Sequence, residues 1–237
     1  MRKALVTGST QGIGKAIAAR LVRDGYSVID HCSRDLGKAE RVRDEIGAHG
    51  AVVCDLSGRA QVAALYGKTG AVDVLVLNAS VQYKQKWQEV TEREADAQLE
   101  VNVLSTLRLM QAYYPDMKQN GFGRIITIGS DNQHRQHPEL ALYAATKCAV
   151  MSLVRNIAKE VAPFGVTVNN VSPGAIATPR NAAVYDDPAA RSKVEACIPA
   201  GRFGTPGDCA GIVAFLAGDE SAYITGADLR VDGGMSL

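Results

Sequence analysis

Tyr143 and Lys147 are the two side chains best suited to exchange a proton with a substrate. Residues four apart share one face of a helix, so the phenol and the ammonium are expected to be neighbours. A free tyrosine has a pKa of about 10, and a nearby cation favours the phenolate. At roughly 4 Å and an effective dielectric near 20, the attraction is about 4 kcal/mol, or on the order of 3 pKa units. The pair therefore predicts acid–base chemistry.

Two other polar residues occupy positions that suggest a role in the same chemistry. Ser130 follows the β-branched run 124–128, and ligands gather where parallel strands end. Its hydroxyl could hold a substrate oxygen, or it could be a residue of a turn. Asn102 lies inside the helical stretch 95–117, where asparagine is unfavourable because its side chain competes for backbone hydrogen bonds. The unfavourable position therefore suggests that Asn102 has a function.

A glycine-rich turn joins the first apolar run, 4–6, to a helical stretch, 15–23. Gly8, Gly12 and Gly14 allow the backbone to turn tightly and to approach a pyrophosphate closely. The start of the helix offers free N–H groups and its positive dipole end. The turn therefore predicts a dinucleotide site, although the spacing differs from G-x-G-x-x-G and an ordinary glycine-rich loop is the alternative.

The end of the second strand bears on the choice between NAD and NADP. This strand should end near Cys32, where a carboxylate would bind the ribose 2′-hydroxyl of NAD. Ser33 and Arg34 follow instead, and they could bind the 2′-phosphate of NADP. NADP is the better match. NAD stays open because Asp30 could serve if the strand ended earlier, and because Gln11 in the glycine turn is not basic.

Asp55 comes directly after the third candidate strand, 52–54. Its carboxylate could accept a hydrogen bond from the adenine amino group. It could equally be an acid at the start of a helix, ahead of Ser57. Both interpretations stay open.

Short β-branched runs alternate with amphipathic stretches along the whole chain, and the runs are almost continuously apolar. This pattern is typical of parallel strands covered by helices on both faces. No repeat or linker marks a domain boundary. We therefore predict one α/β domain over 1–237, a doubly wound Rossmann fold with a parallel sheet of about seven strands. Six candidate strands are 4–6, 28–31, 52–54, 74–77, 124–128 and 166–171.

The overall composition favours a small-molecule ligand. Lys and Arg total 26 and Asp and Glu total 25, and the net charge of +1 creates no field for nucleic acid or an anionic membrane. No signal core or membrane-length apolar run is visible, so a cytoplasmic location is expected. The cysteines form no C-x-x-C pair, and we expect reduced, mostly buried thiols at Cys32, Cys54, Cys148, Cys197 and Cys209.

The segment 132–137, between Ser130 and Tyr143, is unusually polar. It indicates a hydroxylated or anionic substrate, or simply a solvated loop. His134 and His137 lie in this segment, but no third ligand accompanies them and the chemistry requires no metal, so no metal site is expected.

These motifs together resemble the compact branch of the short-chain dehydrogenase/reductase family over essentially the whole chain. Residues 7–14 resemble its TGxxxGxG loop. Ser130, Tyr143 and Lys147 match its catalytic serine and YxxxK, with Asn102 as the fourth member. Later segments are similar to its PGxIxT and carboxyl-terminal motifs, at 173–178, 224–226 and 231–234.

One segment departs from the family pattern. Residues 77–80 read Leu-Asn-Ala-Ser where the family usually reads NNAG. Asn78 and Ala79 keep the part that lines the cofactor. Ser80 adds a hydroxyl where glycine would leave room, which would narrow the pocket mouth or add a polar contact.

The resemblance implies hydride transfer between a nicotinamide and a ketone or secondary alcohol. Tyr143 would give or take the proton, and Lys147 would hold the nicotinamide ribose and lower the pKa of Tyr143. Ser130 would orient the substrate oxygen, and Asn102 would support a water that relays protons to Lys147. The implied cofactor-binding residues are Gly8, Thr10, Gln11, Gly12, Ile13, Gly14, Ser33, Arg34, Asp55, Leu56, Asn78, Ala79, Ser80, Tyr143, Lys147, Pro173, Gly174, Ile176 and Thr178.

The substrate is less defined than the reaction. The chain is similar to 3-oxoacyl-[acyl-carrier protein] reductases and to sugar or polyol dehydrogenases of the same branch, and the sequence does not separate them. A dinucleotide-sensing regulator without turnover is the alternative outside enzymes. Relatives also imply a substrate lid at 180–202 and a homotetramer or homodimer.

Overall fold

The computed structural model describes residues 1–237 and contains one sheet of seven strands in the order β3-β2-β1-β4-β5-β6-β7. All neighbouring strands are parallel. The predicted fold class is confirmed. The seventh strand was not among the candidates because its sequence, DLRV, is polar and only partly buried at the sheet edge. The strands are β1 Lys3–Val6, β2 Ser27–Cys32, β3 Gly50–Val53, β4 Val74–Leu77, β5 Gly123–Ile128, β6 Val166–Pro173 and β7 Asp228–Val231.

Helices cover both faces of the sheet. One apolar core packs α1 and α9 against residues such as Val6 and Val76, and a second packs α3, α5 and α6 against the alternate residues, such as Leu5 and Leu75. This alternation follows from the side-chain period of a strand. The helices are α1 Gly12–Arg23, α2 Leu36–Ile46, α3 Arg59–Thr69, α4 Glu92–Leu99, α5 Ser105–Asn120, α6 Ala141–Val161, α7 Ala182–Tyr185, α8 Pro188–Glu195 and α9 Pro206–Ala217.

The helical stretch expected at 95–117 is divided into two helices. A π-helical segment, Glu100–Leu104, separates α4 from α5 and contains Asn102. Single π turns inside helices occur frequently at functional sites. The unfavourable position of asparagine in a regular helix is therefore resolved by a local change of helix type.

All five cysteines are free thiols, of which Cys148 and Cys197 are exposed and the other three are buried. Val150 and Val154 of α6 are buried in the core. No helix is both long and apolar enough to cross a membrane.

Candidate active site

A cleft of about 960 Å³ runs along the carboxyl ends of the strands. It passes the ends of β1 and β4, where the order of strands reverses and ligands of such sheets bind. All the residues expected to hold the cofactor line this cleft, as do Ser130, Tyr143 and Lys147. Asn102 does not line it.

The glycine turn has the geometry of a pyrophosphate cradle. Gly8 and Gly12 have φ angles of +64° and +55°, which favour glycine. A Cβ on Gly14 would overlap the Gly8 carbonyl oxygen and lie 2.5 Å from the Asn78 amide nitrogen. The helix α1 starts at Gly12, and no side chain caps its first N–H groups. Those groups are free to bind an anion.

Asn78 fixes the glycine turn from the end of β4. Its Nδ2 donates to the carbonyl oxygens of Thr7 and Gly8, at 2.9 and 3.1 Å. In return, the Thr7 hydroxyl oxygen accepts from the backbone N–H groups of Asn78 and Ala79. The two central strand ends are thus held together directly beneath the cofactor site.

His31 is a second support of this turn, and the sequence reasoning missed it. The Gly8 N–H donates to His31 Nδ1 at 3.0 Å, so Nε2 carries the proton, 2.9 Å from the Cys54 carbonyl oxygen. Burial lowers the pKa of His31 to about 4, so the ring is neutral. The only available signal was a polar residue near the end of an apolar strand.

Two cations stand at the end of the cleft expected to hold the adenosine. Arg34 donates to the Asp55 carboxylate at 3.0 and 3.1 Å, and Ser57 donates to the other oxygen of that carboxylate. Lys38 donates to the Gln11 side-chain oxygen at 3.0 Å. Lys38, in the charged helix α2, was not predicted as a site residue. Its contact with Gln11 brings to the glycine turn the positive charge that Gln11 itself lacks. The contact with Ser57 leaves both interpretations of Asp55 open.

Asp30 does not take the ribose-binding role that kept NAD open. Strand β2 extends to Cys32, as the sequence predicted, and the Asp30 side chain is 0% exposed on the other side of the sheet from His31. Neither oxygen of its carboxylate has a hydrogen-bond partner. Burial raises its pKa to about 6. A carboxylate enclosed in this way cannot reach a ribose in the cleft.

Tyr143 and Lys147 are buried on one face of α6, as their spacing predicted. Lys147 Nζ lies 5.6 Å from the centre of the Tyr143 ring and donates to the Ile128 carbonyl oxygen at 2.7 Å. The end of β5 therefore aims the ammonium along the cleft.

The electrostatics of this pair differ from the sequence-based expectation. Burial raises the pKa of Tyr143; Arg180, and then the hydroxyls of Ser80 and Ser130, oppose this rise. Lys147 is not among these opposing groups, and its own pKa is lowered to about 7 by burial and by the charge of Arg180. The expectation that Lys147 makes the phenol acidic is therefore corrected for the protein alone: the enclosed site disfavours both charges.

Ser130 is a residue of a turn, which is one of the two roles considered from the sequence; its contact with a substrate oxygen stays a prediction. It opens a single helical turn, Asp131–Gln133, and its hydroxyl oxygen accepts from the Asn132 backbone N–H and side-chain amide, at 3.2 and 3.1 Å. The same hydroxyl opposes the rise in the pKa of Tyr143. The turn thus fixes the serine beside the tyrosine.

Asn102 holds other elements in place. Its amide accepts from the Val81 N–H and donates to the Val81 carbonyl oxygen, both at 2.9 Å, and donates to the Thr146 hydroxyl at 3.1 Å. It therefore clamps the loop after β4 to α6, one residue before Lys147. The water relay expected for Asn102 stays a prediction.

Asp228 supports the polar loop after Ser130 from the edge strand β7. One of its oxygens accepts from Gln133 and His134, at 3.2 and 2.7 Å, and the other from Asn170 and Ser172, both at 2.7 Å. Nothing in the sequence marked Asp228, because its partners lie more than fifty residues away.

Comparison with known proteins agrees with this geometry. A family model for short-chain dehydrogenases, described as enoyl-(acyl carrier protein) reductase, matches residues 8–236. A 3-oxoacyl-[acyl-carrier-protein] reductase of Escherichia coli (strain K12) is 39% identical over 99% of this chain and 97% of its own length. The chain therefore belongs to the short-chain dehydrogenase/reductase family. As a member, it is an NAD(P)-dependent oxidoreductase acting on CH–OH or C=O groups.

Solved short-chain dehydrogenase/reductase structures share the whole fold. A 3-oxoacyl (acyl-carrier-protein) reductase from Agrobacterium tumefaciens C58 with NADP bound has a TM-score of 0.94 and 34% identity, covering 98% of this chain and 93% of that one. A gluconate 5-dehydrogenase from Burkholderia cenocepacia J2315, in complex with NADP and tartrate, has a TM-score of 0.91 and 34% identity, covering 99% and 95%.

Proposed function

We propose that this short-chain dehydrogenase/reductase transfers a hydride between NADPH and a ketone, or in reverse from a secondary alcohol to NADP, with Tyr143 as the proton donor or acceptor. The observation that carries this proposal is the placement of Tyr143, Ser130 and Lys147 in the same cleft as the glycine cradle.

The residues of the cleft fit the cofactor. The glycine cradle has no space for a side chain at Gly14, requires positive φ angles at Gly8 and Gly12, and presents the uncapped start of α1 to a pyrophosphate. Arg34 and Lys38 suit the additional phosphate of NADP, because a guanidinium and an ammonium both form charge-assisted bonds to phosphate. The NADP bound in the two structural neighbours supports the same choice.

Bound NADPH supplies the hydride that forms the new C–H bond at the carbonyl carbon. Tyr143 gives its hydroxyl proton to the carbonyl oxygen, so the carbonyl π bond is replaced by a C–H and an O–H bond. Ser130 donates a hydrogen bond to that oxygen and orients it. Lys147, held by the Ile128 carbonyl, would hold the nicotinamide ribose beside Tyr143. Asn102 holds α6 and the loop after β4 in the positions that these contacts require.

Two substrate classes occur among the relatives. The curated relatives are named as 3-oxoacyl-[acyl-carrier-protein] reductases, which supports a 3-oxoacyl thioester. The gluconate 5-dehydrogenase neighbour supports a sugar or polyol acid instead, as does the polar loop at 132–137. Both are carbonyl or carbinol substrates of the same reaction.

Residues 180–202 are proposed as the substrate lid of a single catalytic domain. They contain α7 and α8, and their side chains, including Val184 and Lys193, line the cleft. We further propose a cytoplasmic homotetramer or homodimer. Free cysteine thiols are typical of a reducing compartment, and light scattering of the purified protein measures the oligomeric state.

The test is the variant Tyr143→Phe, assayed with NADPH and NADH against ketones, 3-oxoacyl thioesters and polyols by nicotinamide absorbance. We expect turnover to fall at least about a hundredfold, the usual contribution of a positioned acid, while NADPH still binds. Tyr223→Phe, at an exposed tyrosine, is the matched control. A fully active Tyr143→Phe enzyme would refute the mechanism, and tight NADPH binding by the wild type without any turnover would favour a regulator.

A further inference from the structure

Ser80 and Arg180 join the two sides of the cleft next to Tyr143. Arg180 Nη1 and Nη2 both donate to the Ser80 hydroxyl at 3.1 Å, and Nη2 also donates to the Ser80 carbonyl oxygen at 2.8 Å. Ser80 is the residue that departs from the glycine of the family pattern. The residue that departs from the family pattern, Ser80, is therefore hydrogen-bonded to Arg180 at the start of the proposed lid.

Arg180 forms no ion pair, unlike three other cations of the cleft. Arg34, Lys84 and Arg135 each have a carboxylate within 4 Å. An arginine has five N–H donors, and those of Arg180 contact only Ser80. Its guanidinium is therefore available for a carboxylate, which it can bind through two parallel hydrogen bonds.

The surroundings of Arg180 favour an anion as well. Cations outnumber acids among the residues that line the substrate side of the cleft, where Asp131 is the only carboxylate. The cations are Lys84, Arg93, Arg135, Arg180 and Lys193. Lys84 and Arg135 are paired with carboxylates, but Arg93, Arg180 and Lys193 are not, so a small anion entering here meets a positive potential.

Arg180 lies close to the reacting atoms. The Ser80 hydroxyl, which accepts from its guanidinium, opposes the rise in the pKa of Tyr143, and the charge of Arg180 lowers the pKa of both Tyr143 and Lys147. All four side chains line the same cleft. A carboxylate bound by the remaining N–H groups of Arg180 would therefore belong to a substrate whose carboxylate lies a few bonds from the carbonyl beside the phenol.

We propose that Arg180, positioned by Ser80, is an anion subsite that selects oxo or hydroxy acids whose carboxylate lies a few bonds from the reacting carbon. This proposal rests on the proposed function of the same cleft. It separates the two substrate classes, because a 3-oxoacyl thioester carries no charge at that position. Arg180 is thus a specificity-determining residue for the hydride transfer.

The experiment measures binding, so it does not depend on turnover. Two complexes that cannot react are titrated by calorimetry with matched pairs of an acid and its neutral amide: the NADP complex with acetoacetate and acetoacetamide, and the NADPH complex with D-gluconate and D-gluconamide. In the wild type we expect at least one acid to bind about tenfold more tightly than its amide, as a charged hydrogen bond provides. Arg180→Met should remove this preference, and Ser80→Gly should reduce it, because the guanidinium loses two of its three contacts.

Arg191→Met is the matched control, because Arg191 belongs to the same lid but pairs with Glu195. We expect its preference for acids to equal that of the wild type. The proposal is overturned if the wild type binds every acid and amide equally, or if Arg180→Met leaves the acid preference intact. A clear preference for acids without turnover of any carbonyl or alcohol would support the subsite and refute the proposed function.

Discussion

Replacing Asp30 by asparagine is expected to stabilise the protein at neutral pH but not at acidic pH. The Asp30 carboxylate is fully buried, and neither oxygen has a hydrogen-bond partner. Burial disfavours the ionised form, and the nearby Ser9 hydroxyl and Lys15 charge only partly compensate for it. Asparagine has almost the same shape and carries no charge.

The size of the effect follows from the pKa of Asp30. Raising this pKa from 3.8 to about 6 costs about 3 kcal/mol of folding free energy once the carboxylate is ionised. Between these two values the folded state binds more protons than the unfolded state, so stability falls as pH rises. The gain from Asp30→Asn should therefore be smallest near pH 4, grow through pH 6 and level off above it.

The assay is urea unfolding of the wild type and of Asp30→Asn from pH 4 to 8, at one fixed protein concentration. The difference between the two proteins cancels other titrating groups, including His31. Asp186→Asn, at an exposed carboxylate without a hydrogen bond or ion pair from its side chain, is the control. A difference in unfolding free energy that stays constant across this range would refute the reasoning, because it would mean that Asp30 does not titrate differently in the two states.

Three further substitutions test the supports of the site. Gly14→Ala should abolish NADPH binding, measured by fluorescence titration, because its Cβ would overlap the Gly8 carbonyl; Gly67→Ala in α3 meets no atom within 4 Å and should instead stabilise the fold by about 0.5–1 kcal/mol in urea unfolding. His31→Leu should weaken NADPH binding about tenfold, since the Gly8 N–H loses its acceptor; unchanged affinity would contradict this role. Asp228→Ala should lower kcat/KM at least tenfold in steady-state assays, because the loop carrying Ser130, the proposed catalytic serine, loses its support, and should alter the NADPH dissociation constant less than threefold.

The sequence predicted those parts of the molecule that depend on local pattern. The glycine turn, the end of β2 at Cys32 and the shared face of Tyr143 and Lys147 each follow from residues close together in the chain. Strand β7 escaped prediction because its four residues have no apolar pattern, and their pairing with β6 is fixed by the rest of the sheet. The π-helical turn at Asn102 escaped because helix propensity shows only that asparagine is unfavourable there.

The residues of the site that were missed are those defined by distant contacts or by enclosure. Arg180 and Ser80 are one hundred residues apart, and the phenol is affected by both of them. The direction of the pKa of Tyr143 depends on how deeply α6 buries it, which residue spacing does not contain.

Charge gives the clearest case of information that only the fold supplies. The net charge of +1 argues against a broad field over the surface. The same chain nevertheless lines its cleft with eight cations and two acids, because the acids of α4 and most others lie elsewhere on the surface. A field confined to a cleft acts on a small anion that enters it and has little effect on a large polyanion outside. A chain whose net charge is close to zero can therefore still select an acidic substrate. The expected preference for acids over amides would be the measurable consequence of the positive charge in the cleft.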